Sequence, residues 1–169
     1  MFRVGETVVH PGHGPGEVVG VQELSCLGKN GSYYRIRLLG EMGTVWVPVE
    51  SAEEQGVRRL VRKSRLREVW RLLRDQPSDL PSDHNKRYAH LRDKIENGSV
   101  CDIAQALRDL QWKNVHVRKM TLEGKRLYDK GMRLLATEIA LVRGSDTETV
   151  ESKIARVLQM NLDSRASVQ

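Results

Sequence analysis

His10 and His13 are the residues in this chain best suited to metal chemistry, because two imidazoles stand three positions apart in the stretch "VVHPGHGPGEVVGV" at 8 to 21. Zinc needs three or four ligands, and the nearest acid in the neighbourhood is Glu17, behind a turn full of glycine. No metal site is therefore expected here. The same glycines invite a phosphate-binding reading, but "GHGPGE" lacks the lysine and the following Ser or Thr of a phosphate loop, and it lies between two valine-rich runs instead of opening a helix. Chain reversal accounts for the glycines, so the stretch reads as a tight turn between strands. No GxSxG, no HExxH and no histidine–cysteine pairing occurs elsewhere. Cys26 and Cys101 are far apart with no CxxC, which suits a reducing compartment and supplies neither a zinc nor a disulfide framework. The expectation is a non-enzyme with no cofactor.

Two features survive this filter. Trp46, in "TVWVPV", projects with Thr44 from the strand face opposite Val45, Val47 and Val49. Packing in a core and service as a partner anchor at a sheet edge are both open to it. The second feature is charge. Residues 1–60 carry 6 Lys and Arg against 7 Asp and Glu, residues 61–133 carry 18 against 10, and residues 134–169 carry 4 against 5. The excess gathers in "HNKRY" at 84–88, "QWKN" at 111–114 and "VRKMTLEGKR" at 117–126. Bases near helix starts oppose the macrodipole, a cost that makes sense where phosphates approach the free N–H groups. A merely solvated basic surface is the competing reading.

The elements that would carry these residues fall into two kinds. Through about residue 57 the pattern is strand and turn: two valine runs, then "SYYRIRLL" with Tyr34, Ile36 and Leu38 on one face, then "GTVWVPVE". Strands this short and this close suit a small Tudor- or SH3-like barrel. Beyond it the period becomes helical. Ser64 is expected to cap a helix to about Asp75, a second helix runs from His84 to Glu96, and Ser99 with Asp102 forms a capping box for a third. Thr121 opens a fourth through Leu141, and Ser145 with Glu148 a fifth ending near Leu162. The expected fold class is thus α+β in two domains, a β-rich domain at 1–57 and a basic domain of about five helices at 58–164, with a disordered tail at 165–169. No window is apolar enough to span a bilayer and the first residues lack a secretory pattern, so a cytoplasmic protein is expected.

In order and spacing, "FRVGETVVHPGHGPGEVVGV", "VWVPVESAEEQGVRRL", "RYAHLRDKIENGSVCDIAQALRDL" and "LEGKRLYDKGMRLLATEIA" resemble the CarD/CdnL family of bacterial transcription factors across nearly the whole chain. The opening also looks like the polymerase-interacting domain of transcription-repair coupling factors. The resemblance implies an N-terminal Tudor-like domain that binds the β subunit of RNA polymerase and a helical domain that touches promoter DNA at the upstream edge of the melted bubble, stabilising the open complex without catalysis. Its polymerase contacts fall here on Leu24, Ser25, Thr44 and Trp46, with Leu24 and Trp46 standing where other members carry arginines. Its DNA contacts fall on His84, Asn85, Lys86, Arg87, Lys113, Arg118, Lys119 and Lys125. Where the family often has a wedging tryptophan, this chain has His84, and a one-residue insertion in "NVHVRKM" loosens the correspondence around Arg118 and Lys119.

The leading expectation is a monomeric factor that modulates open-complex stability, tethered to polymerase so that a weak, largely sequence-independent DNA contact becomes effective. The alternative is an adaptor that binds polymerase or another protein without touching DNA.

Overall fold

The computed structural model describes residues 1–26, 29–116 and 120–166. The chain divides into two units, Met1–Leu60 and Val61–Gln169. The first is a five-stranded antiparallel sheet in the order β4-β3-β2-β1-β5, built from β1 (Thr7–His10), β2 (Gly14–Cys26), β3 (Lys29–Leu38), β4 (Thr44–Pro48) and β5 (Arg58–Arg59). Alternation does the sorting: Val8, Val18, Tyr34, Ile36 and Val47 point to one side and form the core with Phe2, Ala52 and Val57. Tyr34 adds a polar tie, its hydroxyl accepting the Phe2 N–H at 2.9 Å.

The opening stretch is the β1–β2 turn. His10 pairs with Gly14, and Gly12 and Gly14 take φ of 72° and 83°, a region that side-chain-bearing residues enter at a cost. β5 is short and pairs with β1 at Val8 and Val9, so Arg58 and Arg59 belong to the sheet.

The second unit holds five helices: α1 (Leu66–Arg74), α2 (His84–Glu96), α3 (Val100–His116), α4 (Leu122–Arg143) and α5 (Thr147–Ala166). One core unites their apolar stripes, among them Val69 and Leu73 of α1, Leu91 and Ile95 of α2, Leu107 of α3, Leu135 and Ile139 of α4 and Ile154 and Leu158 of α5. α3 packs against α1, α2 and α4. Two caps depart from expectation. Ser64 lies inside a single 3-10 turn, Lys63–Arg65, and α1 starts after it with no side-chain cap. At α5 the capping carboxylate is Asp146, whose Oδ1 accepts the Thr149 N–H at 2.7 Å, and the helix continues to Ala166. The capping box is present: Asp102 Oδ2 accepts the Ser99 N–H at 2.8 Å while Ser99 Oγ accepts the Asp102 N–H at 3.4 Å. Among the described residues no helix is long and apolar enough to cross a membrane.

Candidate functional site

β4 is an edge strand, so among the described residues one side of its backbone has no ladder partner. Trp46 sits at its middle, opposite Arg35, and Thr44 sits opposite Arg37. The side chains of Thr44, Trp46, Arg35 and Arg37 share the outward face, since Tyr34, Ile36 and Val47 take the inward one. At 41% exposure Trp46 is no core residue; its indole lies open beside Arg35, while Arg37 on the same face is paired with Glu17 at 2.5 Å. Leu24 pairs with Gly31 and Ser25 with Asn30 in the β2–β3 hairpin. Gly31 and Arg35 are of like parity on β3, which puts half-buried Leu24 on the same face as Trp46, four residue pairs further along the ladder. The cross-strand Arg35–Trp46 pairing depends on the register set by the β3–β4 turn and leaves no local mark in the sequence.

The histidine pair at the β1–β2 turn lies with ring centroids 5.0 Å apart. Burial lowers the pKa of His10, and its Nδ1 is 2.6 Å from the Pro11 carbonyl oxygen. The β3–β4 turn brings Glu41 to His13, Oε2 to Nδ1 at 3.5 Å, a contact 28 positions distant in sequence. Among the described residues no cluster of three or more His, Cys, Asp or Glu side chains is arranged to hold a metal ion.

In the helical unit the expected DNA-contacting residues gather at one end. Asp83 caps α2, its carboxylate accepting the Lys86 N–H at 2.9 Å, and His84, Asn85 and Lys86 are exposed on the first turn, which contains no acid within the helix itself. Thr121 caps α4 by accepting the Gly124 N–H at 3.1 Å and donates to the Tyr88 hydroxyl at 2.9 Å. That bond ties the second turn of α2 to the cap of α4; Lys86 and Lys125 are exposed on the first turns, where the Asp83 cap and Glu123 also stand. Gly124 permits the approach: a Cβ there would lie 2.7 Å from the Tyr88 hydroxyl oxygen. The Tyr88–Thr121 link is tertiary and left no local signal in the sequence.

Arg87 behaves differently from its neighbours. It donates from Nη1 to the carbonyls of Pro81 at 3.0 Å and Ser82 at 2.8 Å, so its guanidinium braces the loop ahead of α2. Lys113, near the end of α3, lines with Arg87, Trp112 and Leu80 a cavity of about 360 Å³; desolvation lowers its pKa, and the Arg87 charge acts in the same direction. Trp112 is half-buried in that wall. Arg118 and Lys119 lie outside the described residues.

Two family models match this chain. Residues 2–61 match the CarD-like/TRCF RID domain and residues 68–155 match the CarD C-terminal domain. A curated relative, "Putative transcription factor YdeB" of Bacillus subtilis (strain 168), is 24% identical over 152 residues, covering 90% of this chain and 99% of that protein. The matched segments follow the two structural units, and the family is one of transcription factors, with an N-terminal unit of the RNA polymerase-interacting type, not known for catalysis. With a family model spanning more than half of its length and the second covering the sheet, the chain belongs to the CarD family.

Proposed function

We propose that the protein docks on the β subunit of RNA polymerase through the outward face of β2–β4 and holds promoter DNA at the upstream edge of the bubble with the α2/α4 end, modulating open-complex stability as a cytoplasmic monomer. Trp46, Thr44, Leu24 and Ser25 form the polymerase-facing set, with edge strand β4 available for strand addition. His84, Asn85, Lys86, Lys113 and Lys125 form the DNA-facing set, while Arg87 shapes the loop beside them. Arg118 and Lys119 complete the set as proposed from the family pattern.

Support for the DNA reading comes from the Tyr88–Thr121 hydrogen bond, which ties α2 to the start of α4, with Lys86 and Lys125 exposed on the first turns of those helices for phosphate contacts. Such contacts carry no sequence information, so specificity is low and affinity depends strongly on salt. Three or four phosphate contacts give a slope of about −3 in log affinity against log salt.

The test takes the two arms apart. Labelled protein binds purified polymerase without DNA, and Trp46→Ala weakens that binding several-fold; footprinting of a polymerase–promoter complex then shows protection at the upstream bubble edge that Lys86→Gln with Lys125→Gln removes. Polymerase binding without that protection would establish the adaptor reading, which the engagement of Arg87 with loop carbonyls favours. No binding to polymerase by the intact chain would overturn the tether.

A further inference from the structure

Outside the α2/α4 end, the densest positive charge lies on α1 and the turn before it. Residues 61–75 hold six bases, Arg62, Lys63, Arg65, Arg67, Arg71 and Arg74, against two acids, Glu68 and Asp75. The candidate site uses none of them. At 100° per residue Arg67, Arg71 and Arg74 fall within an arc of about 60°. All three are exposed, while Leu66, Val69, Trp70 and Leu73 take the buried side. Together with Asp75 they line a shallow concavity of about 460 Å³.

Placing like charges at i,i+3 and i,i+4 is destabilising, so the stripe is a poor arrangement for the helix alone. Arg67 also stands in the first turn, where the dipole disfavours a cation, and forms no ion pair among the described residues. The two acids do little to offset this: Arg65–Glu68 at 3.3 Å and Arg71–Asp75 at 3.2 Å are exposed pairs of small value. Arginine in all three positions suits bidentate capture of phosphate better than lysine would.

The stripe leads to the candidate DNA end. Arg108 of α3 donates to the Leu72 carbonyl at 3.3 Å and to Ser78 Oγ at 2.7 Å, which fixes the end of α1 and the loop after it to the part of α3 that continues into Lys113. That same loop is held to the start of α2 by Arg87. α5 adds to the positive field: Lys153 lies 4.9 Å over the Trp70 ring and Arg165 reaches the Arg74 carbonyl.

We infer that the α1 arginine stripe is a second phosphate-binding surface, which grips the backbone of duplex DNA continuing from the DNA held at the α2/α4 end. The inference rests on the DNA reading of that end and extends it to a further surface. Duplex phosphates recur about every 3.4 Å of axis on each strand, close enough for Arg67 and Arg71, about 6 Å apart along the helix, to meet separate phosphates.

The intact chain, Arg67→Gln with Arg71→Gln, and Lys86→Gln with Lys125→Gln are titrated onto a labelled fork-junction duplex between about 50 and 200 mM salt. The stripe variant is expected to flatten the log–log slope by about 1.8, from two lost contacts, so that its affinity deficit is about 12-fold larger at 50 mM than at 200 mM salt. Asp75→Asn, which removes a competing carboxylate, strengthens binding. Loss in the α2/α4 variant alone would overturn the second surface and leave the functional reading standing. Loss in neither, or no binding by the intact chain, would bring down the DNA reading and the stripe with it. A stripe variant that keeps its DNA affinity but binds polymerase more weakly without DNA would assign the stripe to an acidic protein face and overturn the inference.

Discussion

Replacing Asp109 by Ala should be among the most damaging single changes in the helical unit. Asp109 is wholly buried beside Arg108, itself 5% exposed, and its Oδ1 accepts from Arg108 Nε at 2.9 Å, Arg108 Nη2 at 2.8 Å and the Ser78 N–H at 2.9 Å. Among the described residues alanine leaves a buried guanidinium with only the Leu72 carbonyl and Ser78 Oγ as acceptors, and breaking a buried pair from one side costs about 3–5 kcal/mol. Asp109 Oδ2 is buried with no hydrogen-bond partner, a penalty of about 1–3 kcal/mol that the substitution relieves, so the lower part of that range applies. A loss of about 3 kcal/mol lowers Tm by roughly 10–20 °C in a unit of this size. Thermal and urea unfolding followed by far-ultraviolet circular dichroism reports the helices directly. The same reasoning gives Arg108→Met with Asp109→Leu a stability within about 1 kcal/mol of the parent, since an apolar pair removes both desolvation costs. A single variant that loses less than about 1 kcal/mol, or a double variant worse than the single, would refute this account of the pair.

Gly124→Ala is expected to destabilise by about 1 kcal/mol despite the better helix propensity of alanine, because the new Cβ would lie 2.7 Å from the Tyr88 hydroxyl oxygen and 2.8 Å from Met120 Cγ; a net gain in a urea melt would show that this contact yields freely. Burial pushes the Tyr128 phenol up to about 12, so the fold retains its proton where the unfolded chain loses it, and stability should fall as pH rises from 10 through 12. Near-ultraviolet titration of tyrosinate should accordingly show a late component that Tyr128→Phe deletes. His10 has its pKa lowered by desolvation, so the fold favours the neutral ring; its contribution is present above pH 6.5 and is lost as pH falls below it, and His10→Gln should flatten the acid limb of a stability–pH curve.

Local patterns in the sequence carried most of the fold. Alternation in "SYYRIRLL" predicts the buried Tyr34, Ile36 and Leu38, and the Ser99–Asp102 spacing predicts a capping box whose bonds are present. What escaped was tertiary. β5 is two arginines long, with no apolar rhythm to mark it, and exists only because β1 offers a free edge. Ser64 has the chemistry of a cap, yet the chain enters α1 through a 3-10 turn, so the first helical N–H groups find no side-chain acceptor. Arg87 reads as a phosphate ligand by its neighbours, but the loop before α2 has carbonyls with no ladder to satisfy them, and the guanidinium supplies those donors. The packing of α2 on α4 is tertiary too, made by the Tyr88–Thr121 hydroxyl bond, the Arg92–Glu123 and Lys130–Glu96 ion pairs and Gly131 beside Ile95.

His84 determines which kind of contact the α2/α4 end makes on the proposed reading. Its ring is exposed and leans on Tyr88, centroids 4.6 Å apart at 38°, with Nδ1 3.5 Å from Asn85 Oδ1. An imidazole held this way is smaller and more polar than an indole, so it fills less of the gap opened when a base step unstacks, a distortion costing a few kcal/mol. Base stacking on an aromatic side chain contributes about 1–3 kcal/mol, and enlarging the ring should recover about 1 kcal/mol of it, or roughly a five-fold longer open-complex lifetime for His84→Trp. The salt slope should remain unchanged, because no phosphate contact is altered. A lifetime that stays the same would mean that this end holds the backbone without entering the stack, and one that shortens would mean that the His84–Tyr88 pairing itself shapes the contact.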